Sequence, residues 1–500
     1  MMLKALALSL AATLVGGTSS FAQTAPVDDG SSYYRAAQAD LTHRLSVKQN
    51  VKKARNVIMF VGDGMGTSTT TAARILAGQM RGVDGESYVL TMDGLPYTGL
   101  VKTYAHDSQV ADSAPTATAL LAGVKTRNGV IGLDHRATPS LCKDAADKNV
   151  VSLIELAEAQ GRATGIVTTT RITHATPAAG YAHTPERDWE DDSELTDEAK
   201  ASGCVDIARQ LVEWNFGDGM EVVLGGGRRN FMPNTSADPE YATVKGKRKD
   251  GRDLIKAWQK RYKRGSYVWD AKGFAALDPK GQGPVLGLFE PDHMQYELDR
   301  AKTGSGEPSL AEMTRFAISR VQSHPNGFVL LVEGGRIDHA HHAGQAGRAL
   351  ADTVAFDDAV RAALSMVDPE ETLIIVTADH SHGLTISGYP ARNNPILDIV
   401  KDGDGKVMPA GDGKPYTTLT YATGPGAKPD GARDDISEVH TDDPDYRQQA
   451  LIPARSAAHA GEDVAVRAVG PFAHLLQGTI EQNLIFHVIL HASQITAKNP

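Results

Sequence analysis

Several familiar signatures are missing from this chain of 500 residues. No G-x-x-x-x-G-K-[ST] loop occurs, which excludes a P-loop nucleotide site, and no H-E-x-x-H helix occurs, which excludes that metalloprotease arrangement. No internal repeat is evident. The apolar run near the N-terminus, residues 5–15, is too short to span a bilayer. Positive charge is in deficit: 51 Lys and Arg against 61 Asp and Glu give a formal net charge of -10. So acidic a protein is a poor general binder of nucleic acid or of an anionic membrane. A small phosphorylated substrate is not excluded, because bound metal can reverse the field inside one pocket. Cysteine is scarce as well. Cys142 and Cys204 are the two present, either bridged, as export would favour, or buried as free thiols.

What is present is a globular composition, 41 % apolar and 22 % charged, in a chain long enough for one large core with insertions or for two or three domains. Lys4, the apolar run and Ser20-Phe21-Ala22 read as a signal peptide over residues 1–22. Residues 23–54 read as a polar arm with a helix at 33–44. Strand-like runs at 56–61, 165–169, 221–224, 285–288, 328–332 and 373–377 alternate with helical stretches at 67–80, 112–122, 151–160, 204–212, 254–263, 308–323 and 347–366. That rhythm predicts an α/β fold: a central, mostly parallel sheet with helices on both faces. The core is expected over 55–387 and again over 449–493, ending in a helix at 474–493, with a tail at 494–500. Residues 388–448, rich in Gly, Pro and Asp, break the rhythm and read as an inserted surface segment.

The chemistry gathers where strands end. Asp63, the segment 171–176, the glycines at 225–227, Glu333 and Asp379-His380 each follow a core strand, and in open α/β sheets sites form at the carboxyl ends of strands. The stretch FVLLVEGGRIDHAHH at 328–342 is the densest case. Asp338 and His342, four apart, share one face if the segment turns helical. The metal-ligand inventory is Asp63, Glu333, Asp338, His342, Asp379, His380 and His459. Zinc suits mixed imidazole and carboxylate sets, such as Asp338, His342 and His459, or Asp63, Asp379 and His380. Magnesium suits oxygen donors, such as Glu333 and Thr176 with Asp63 bridging. The sequence supplies the inventory and leaves the partition open. Ser113, at a helix start where exposed N–H groups favour phosphate, is the candidate nucleophile; Asp112 or Ser113 also reads as an N-cap, and the two roles are compatible. Arg187 can grip two phosphoryl oxygens, or equally make a surface ion pair. His174 and His339 are candidates for the shell of the oxygen-rich metal. No role follows for His341.

Taken together, VGDGMG at 61–66, DSAPTATALLAGVKT at 112–126, TTTRITHATPAAGYAHTPERDW at 168–189, LGGGRRNFMP at 224–233, GLFEPDHMQYELD at 287–299, VEGGRIDHAHHAG at 332–344, TADHSHG at 377–383 and HAGEDV at 459–464 resemble the alkaline phosphatases, over about residues 50–493. The resemblance implies hydrolysis of phosphate monoesters through a phosphorylated Ser113, at two zinc ions and one magnesium, with Arg187 clamping the phosphoryl group. It counts His174 with the metal set. His174 and His339 look like the animal-type pattern, here expected in a bacterial, secreted member. That pattern implies a calcium site at Glu240, Phe289 (carbonyl), Glu290 and Glu307, although residues 298–309 depart in length. It also implies a disulfide between Cys142 and Cys204, a crown-like role for 388–448, and a homodimer. No apolar tail follows Ser493, so a lipid anchor is not expected; a periplasmic or secreted location is. A phosphodiesterase of the same superfamily, usually with Thr as nucleophile, is the nearest rival. A sulfatase would need a C-x-P-x-R site that is absent. A binding protein without catalysis is the remaining alternative.

Overall fold

The computed structural model describes residues 32–302 and 306–496; the signal-peptide reading lies outside them. The described residues fall into two units that divide between Lys48 and Gln49. In the first, helix Ser32–Ser46 contains the helix expected at 33–44 and buries none of its side chains. The second unit holds the sheet. Its strands are β1 (Asn56–Gly62), β2 (Tyr97–Lys102), β3 (Ala163–Arg171), β4 (Val222–Gly226), β5 (Ser266–Val268), β6 (Val285–Leu288), β7 (Phe328–Gly334), β8 (Thr372–Ala378), β9 (Ser381–His382), β10 (Leu384–Ile386), β11 (Leu419–Gly424), β12 (Ala450–Pro453), β13 (His459–Ala460), β14 (Val464–Val469) and β15 (Gly478–Glu481).

A ten-stranded sheet has the order β15-β2-β14-β8-β1-β7-β3-β4-β6-β5. From β8 to β5 every pairing is parallel, and β14 runs antiparallel to both β8 and β2. The central strands NVIMFVG, FVLLVEG and TLIIVTA are buried along almost their whole length, as parallel strands covered on both faces must be. Helices Thr67–Met80, Leu310–Val321, Arg336–His342 and Ala346–Leu364 pack as one layer; Ser113–Ala122, Leu153–Ala159, Ala175–Ala178 and Leu484–Ser493 pack as another. The α/β architecture expected from the alternating pattern is therefore present.

One sequence expectation changes. The closing helix read at 474–493 is interrupted: a 3-10 turn Ala473–Leu476 leads into β15, and the helix runs only from Leu484 to Ser493. Gly478 takes φ of +83°, a left-handed turn that suits glycine, and the next residues pair in parallel with β2. Within residues 388–448, β11 pairs with β10 and β12 in a small three-stranded sheet.

Candidate metal centre and nucleophile

Register assembles the site. Val61 of β1 lies between Glu333 of β7 and Thr377 of β8, so the three strands deliver Asp63, Glu333 and Asp379 to one edge. Gly64 turns the chain at φ +66°, and a Cβ there would lie 2.7 Å from the His382 ring; only glycine lets the backbone pass so close. Asp379 Oδ1 then accepts from Gly64 N at 2.9 Å and from His380 N at 2.8 Å. Helix Arg336–His342 presents Asp338 and His342 on one face, with Nε2 of His342 3.4 Å from Asp338 Oδ2, as the spacing of four predicts.

Three groups of donor atoms converge: Asp338, His342, His382 and His459; Asp63, Asp338 and His380; and Asp63, His174 and Glu333. The imidazole tautomers are legible from their partners. Nδ1 of His342 meets Ala457 O at 2.6 Å, Nδ1 of His459 meets Ala111 O at 2.9 Å, and Nδ1 of His380 meets Ser381 O at 3.2 Å. A carbonyl only accepts, so each Nδ1 donates, and in the neutral ring each Nε2 keeps its lone pair. The Nε2 atoms of His342 and His459 face one another at 3.1 Å, an approach that a cation shared between them would satisfy. Buried Asp63 Oδ2, Asp379 Oδ2, Glu333 Oε1 and His174 Nδ1 have no hydrogen-bond partner. Orphans so concentrated are what a metal cluster would satisfy. The donor sets fit two zinc ions and one magnesium: imidazole with carboxylate in the first two groups, a carboxylate-rich set in the third.

Electrostatics say the same. Burial, then the neighbouring Asp379 and Asp338, push the Asp63 carboxyl well above its usual range. Burial likewise raises Asp379 to about 6 and Glu333 to about 7. Carboxyls crowded in this way want a proton or a cation. Asp338 goes the other way: burial would raise it, but contact with His382, and then His459, holds it well below.

Ser113 opens helix Ser113–Ala122, and Asp112 is its N-cap, accepting from Ala114 N at 2.7 Å. Ser113 Oγ is 3.2 Å from His380 Nε2 and 3.4 Å from Asp63 Oδ1. Arg187 reaches the same place, held by Asp112 at 3.4 Å and by His174 Nε2 at 3.0 Å. His339 lies with its ring centroid 5.4 Å from that of His174 and 4.1 Å from that of His293; burial lowers His339 to about 3 and His293 well below its usual range. Thr168 and Thr170 donate to Glu333 Oε2.

Sequence reasoning missed His382, whose Nε2 donates to Asp338 Oδ1, and so orients a ligand without offering that nitrogen to a metal. It sits opposite His459 in the β9–β13 pair, and the second histidine of the DHSH run was its only signal. His341 also gains a place: Nε2 meets Thr69 Oγ1 at 2.9 Å and Nδ1 meets the Tyr421 hydroxyl at 2.7 Å. At the calcium candidates, Glu290 accepts from Tyr241 and Gln295, Glu307 accepts from Gln295 N, and Glu240 is engaged by Arg228 at 3.0 Å; Phe289 is buried beside them in the chain. Cys142 and Cys204 are bridged, packed against Trp189, Leu195 and Ala199.

Comparison with known proteins bears on this geometry. A family model described as alkaline phosphatase matches residues 54–495. The chain belongs to the alkaline phosphatase family. The tissue-nonspecific isozyme of Gallus gallus is 46 % identical over 472 residues, covering 93 % of this chain and 89 % of the relative. The alkaline phosphatase of Gadus morhua is 46 % identical over 466 residues, 92 % and 96 % of the two chains. Among solved structures, that of the Thermus thermophilus alkaline phosphatase aligns with a TM-score of 0.64 at 26 % identity, covering 90 % of this chain and 94 % of the other. The enzyme from the Antarctic bacterium TAB5 shares the fold with a TM-score of 0.61, at 23 % identity. The expectation of a bacterial, secreted member is overturned: vertebrate tissue-nonspecific enzymes match at nearly twice the identity of these bacterial structures. The protein is an alkaline phosphatase family enzyme, a phosphomonoesterase with a multi-metal site.

Proposed function

We propose that Ser113 is the nucleophile and that the phosphoryl group passes through a phosphoserine. The observation that carries this is the placement of Ser113 Oγ between Asp63 and His380, at a helix N-terminus and beside Arg187. Asp338, His342 and His459 would hold one zinc; Asp63, Asp379 and His380 the other; Asp63, Thr176 and Glu333 the magnesium, with His174 and His339 around it. Metals so held lower the pKa of an oxygen nucleophile and stabilise a departing oxygen. The chain's own groups do the rest. Ser113 Oγ attacks phosphorus, the ester P–O bond breaks, and the alcohol leaves with a proton. Water then attacks, the P–O bond to Ser113 breaks, and phosphate departs as the serine regains its proton. Arg187, braced by Asp112 and His174, meets the charge on the equatorial oxygens.

Phosphorylated small molecules with varied alcohol leaving groups are the substrates of this reading. Serine at 113 and the braced Arg187 favour monoesters over diesters. Hydrolysis of p-nitrophenyl phosphate against bis-p-nitrophenyl phosphate, with and without chelator, tests it. Monoester turnover should dominate and vanish on chelation. Equal or greater diester turnover would sink the assignment, and no turnover after zinc and magnesium are restored would favour a binding protein.

Three further assignments belong here. A calcium ion at Glu240, Phe289 O, Glu290 and Glu307 is supported by the unpartnered, buried Glu307 Oε2, though Glu240 already serves Arg228. A homodimer is supported by edge strand β12, where Leu451 is 81 % and Ile452 55 % exposed, an apolar edge of the kind that pairing covers. A periplasmic or secreted location is supported by the Cys142–Cys204 bridge; among the described residues no helix is long and apolar enough to cross a membrane.

A further inference from the structure

The amino ends of the strands form a floor on the side of the sheet away from the metal clusters, and two clefts that meet at Pro325 run along it. The narrower, of 410 Å³, opens beside the starts of β1, β3 and β7; Lys53, Arg55 and Arg162 line it, and no carboxylate does. The wider, of 690 Å³, opens beside the starts of β4, β5 and β6. It sets Arg261, Lys263, Arg264, Lys280 and Arg320 against Asp218 and Glu221.

The arginines here are held in an unusual way. Arg162 donates to Arg55 O at 2.7 Å and to Ser493 O at 2.8 Å. Arg55 donates to His324 O at 3.1 Å, Arg261 to Val212 O at 3.0 Å, and Arg320 to Asp278 O at 3.0 Å. Backbone carbonyls fix the guanidinium groups without neutralising them. Elsewhere the protein pairs its inner arginines with carboxylates: Arg171 with Glu190, Arg228 with Asp238, Arg248 with Asp206 and Arg348 with Asp299. Among the described residues, none of the floor cations is in an ion pair. Of the two facing acids, Glu221 is raised to about 7 by burial and spends an oxygen on Thr164 N at 2.7 Å. A chain of net charge -10 thus keeps a strip in which eight cations face two acids.

We propose that this floor is a docking groove for an acidic polysaccharide, a chain bearing sulfate or carboxylate groups. The strip is concave, its cations lining two clefts and not a plane, so a flat bilayer meets few of them whereas a single polymer chain can lie along them. Nor is it built for nucleic acid. Tyr262 and His324 are the ring side chains lining the clefts, and the Tyr262 ring already packs on Trp258 at 5.2 Å, which leaves one imidazole and no row of rings on which successive bases could stack.

The test uses the holoenzyme with zinc and magnesium, its catalytic site saturated with inorganic phosphate, and a labelled, fully sulfated heparin-type oligosaccharide followed by fluorescence anisotropy. Binding is expected at physiological salt and should weaken linearly on a log–log salt plot. The triple variant Lys53→Glu, Lys263→Glu, Lys280→Glu, all at exposed and unpaired positions, should bind about tenfold more weakly or worse, with p-nitrophenyl phosphate hydrolysis unchanged. If that variant folds poorly, Lys280→Gln alone should weaken binding about twofold. The proposal fails if the native enzyme does not bind, if the charge variants bind as tightly as native, or if single-stranded DNA or anionic lipid vesicles bind more tightly than the saccharide.

Discussion

At the carboxyl ends of β1, β7 and β8 stand Asp63, Glu333 and Asp379; at the amino ends of β1 and β3 stand Arg55 and Arg162. One end gathers acceptors and lone pairs suited to cations. The other gathers cations that lack an anion. The strands between them are nearly the same in kind, buried aliphatic runs in parallel register. The difference shows that the sheet fixes where side chains emerge and leaves the sign of the charge to the residues just beyond each strand. It also shows two ways of holding a charged group still: carboxylates and carbonyls orient the imidazoles at one end, and carbonyls alone pin the guanidinium groups at the other.

The comparison can be broken from either end. The largest effect is expected at Asp63, whose oxygens enter two of the three donor groups. Asp63→Asn should lower p-nitrophenyl phosphate turnover by about 10³-fold or more and reduce bound metal by more than one ion per chain, read by elemental analysis; loss of a single ion would show that Asp63 is not shared. Next is the bridge, which belongs to neither end. Cys142→Ser should cost about 3 kcal/mol of stability, measured by denaturant unfolding, while activity per folded molecule stays native; lost activity in the folded fraction would tie the bridge to the site. His382→Ala removes the donor that orients Asp338 and should cost about 10–100-fold in metal affinity or turnover. Zinc titration reads it, and a native affinity would leave His382 a packing residue.

The smallest effect lies near the amino ends. Glu158 is buried at 2 % exposure with one oxygen unpartnered, and burial, then Glu221, raises it to about 8 from 4.5. A carboxyl raised on folding adds stability in its protonated form, fully below the unfolded value, and loses it as pH climbs through the folded one. Glu158→Gln should therefore match the native chain in acid and exceed it by about 1–2 kcal/mol above pH 8. Parallel unfolding curves with no pH-dependent gap would count against a buried, ionising Glu158.

Much of the metal end was legible in the sequence because its logic is local. Asp63, Glu333 and Asp379-His380 sit directly where apolar runs stop, Asp338 and His342 are one helical turn apart, and Asp112-Ser113 announces a helix start. Roles that depend on distant partners were not legible. His382 acts through Asp338, 44 residues away in sequence, and Thr168 supports Glu333 only because β3 and β7 align in that register. β15 was hidden inside an apolar stretch that reads as helix until Gly478 breaks it. The cationic floor left no motif, since its cations come from separate segments and nothing in the sequence says that carbonyls, not carboxylates, will hold them.

His341 has a consequence for anyone who would rebuild this enzyme. Its ring ties helix Thr67–Met80 to Tyr421 of β11, inside the segment 388–448 read as an insert. The insert is thus not an ornament to be exchanged freely between relatives. A graft that keeps its length and outer surface but loses the phenolic oxygen would leave a buried imidazole nitrogen bare, one residue from His342. Chimeras that carry Tyr421 with them should tolerate a new insert; those that drop it should need a compensating partner at that one position.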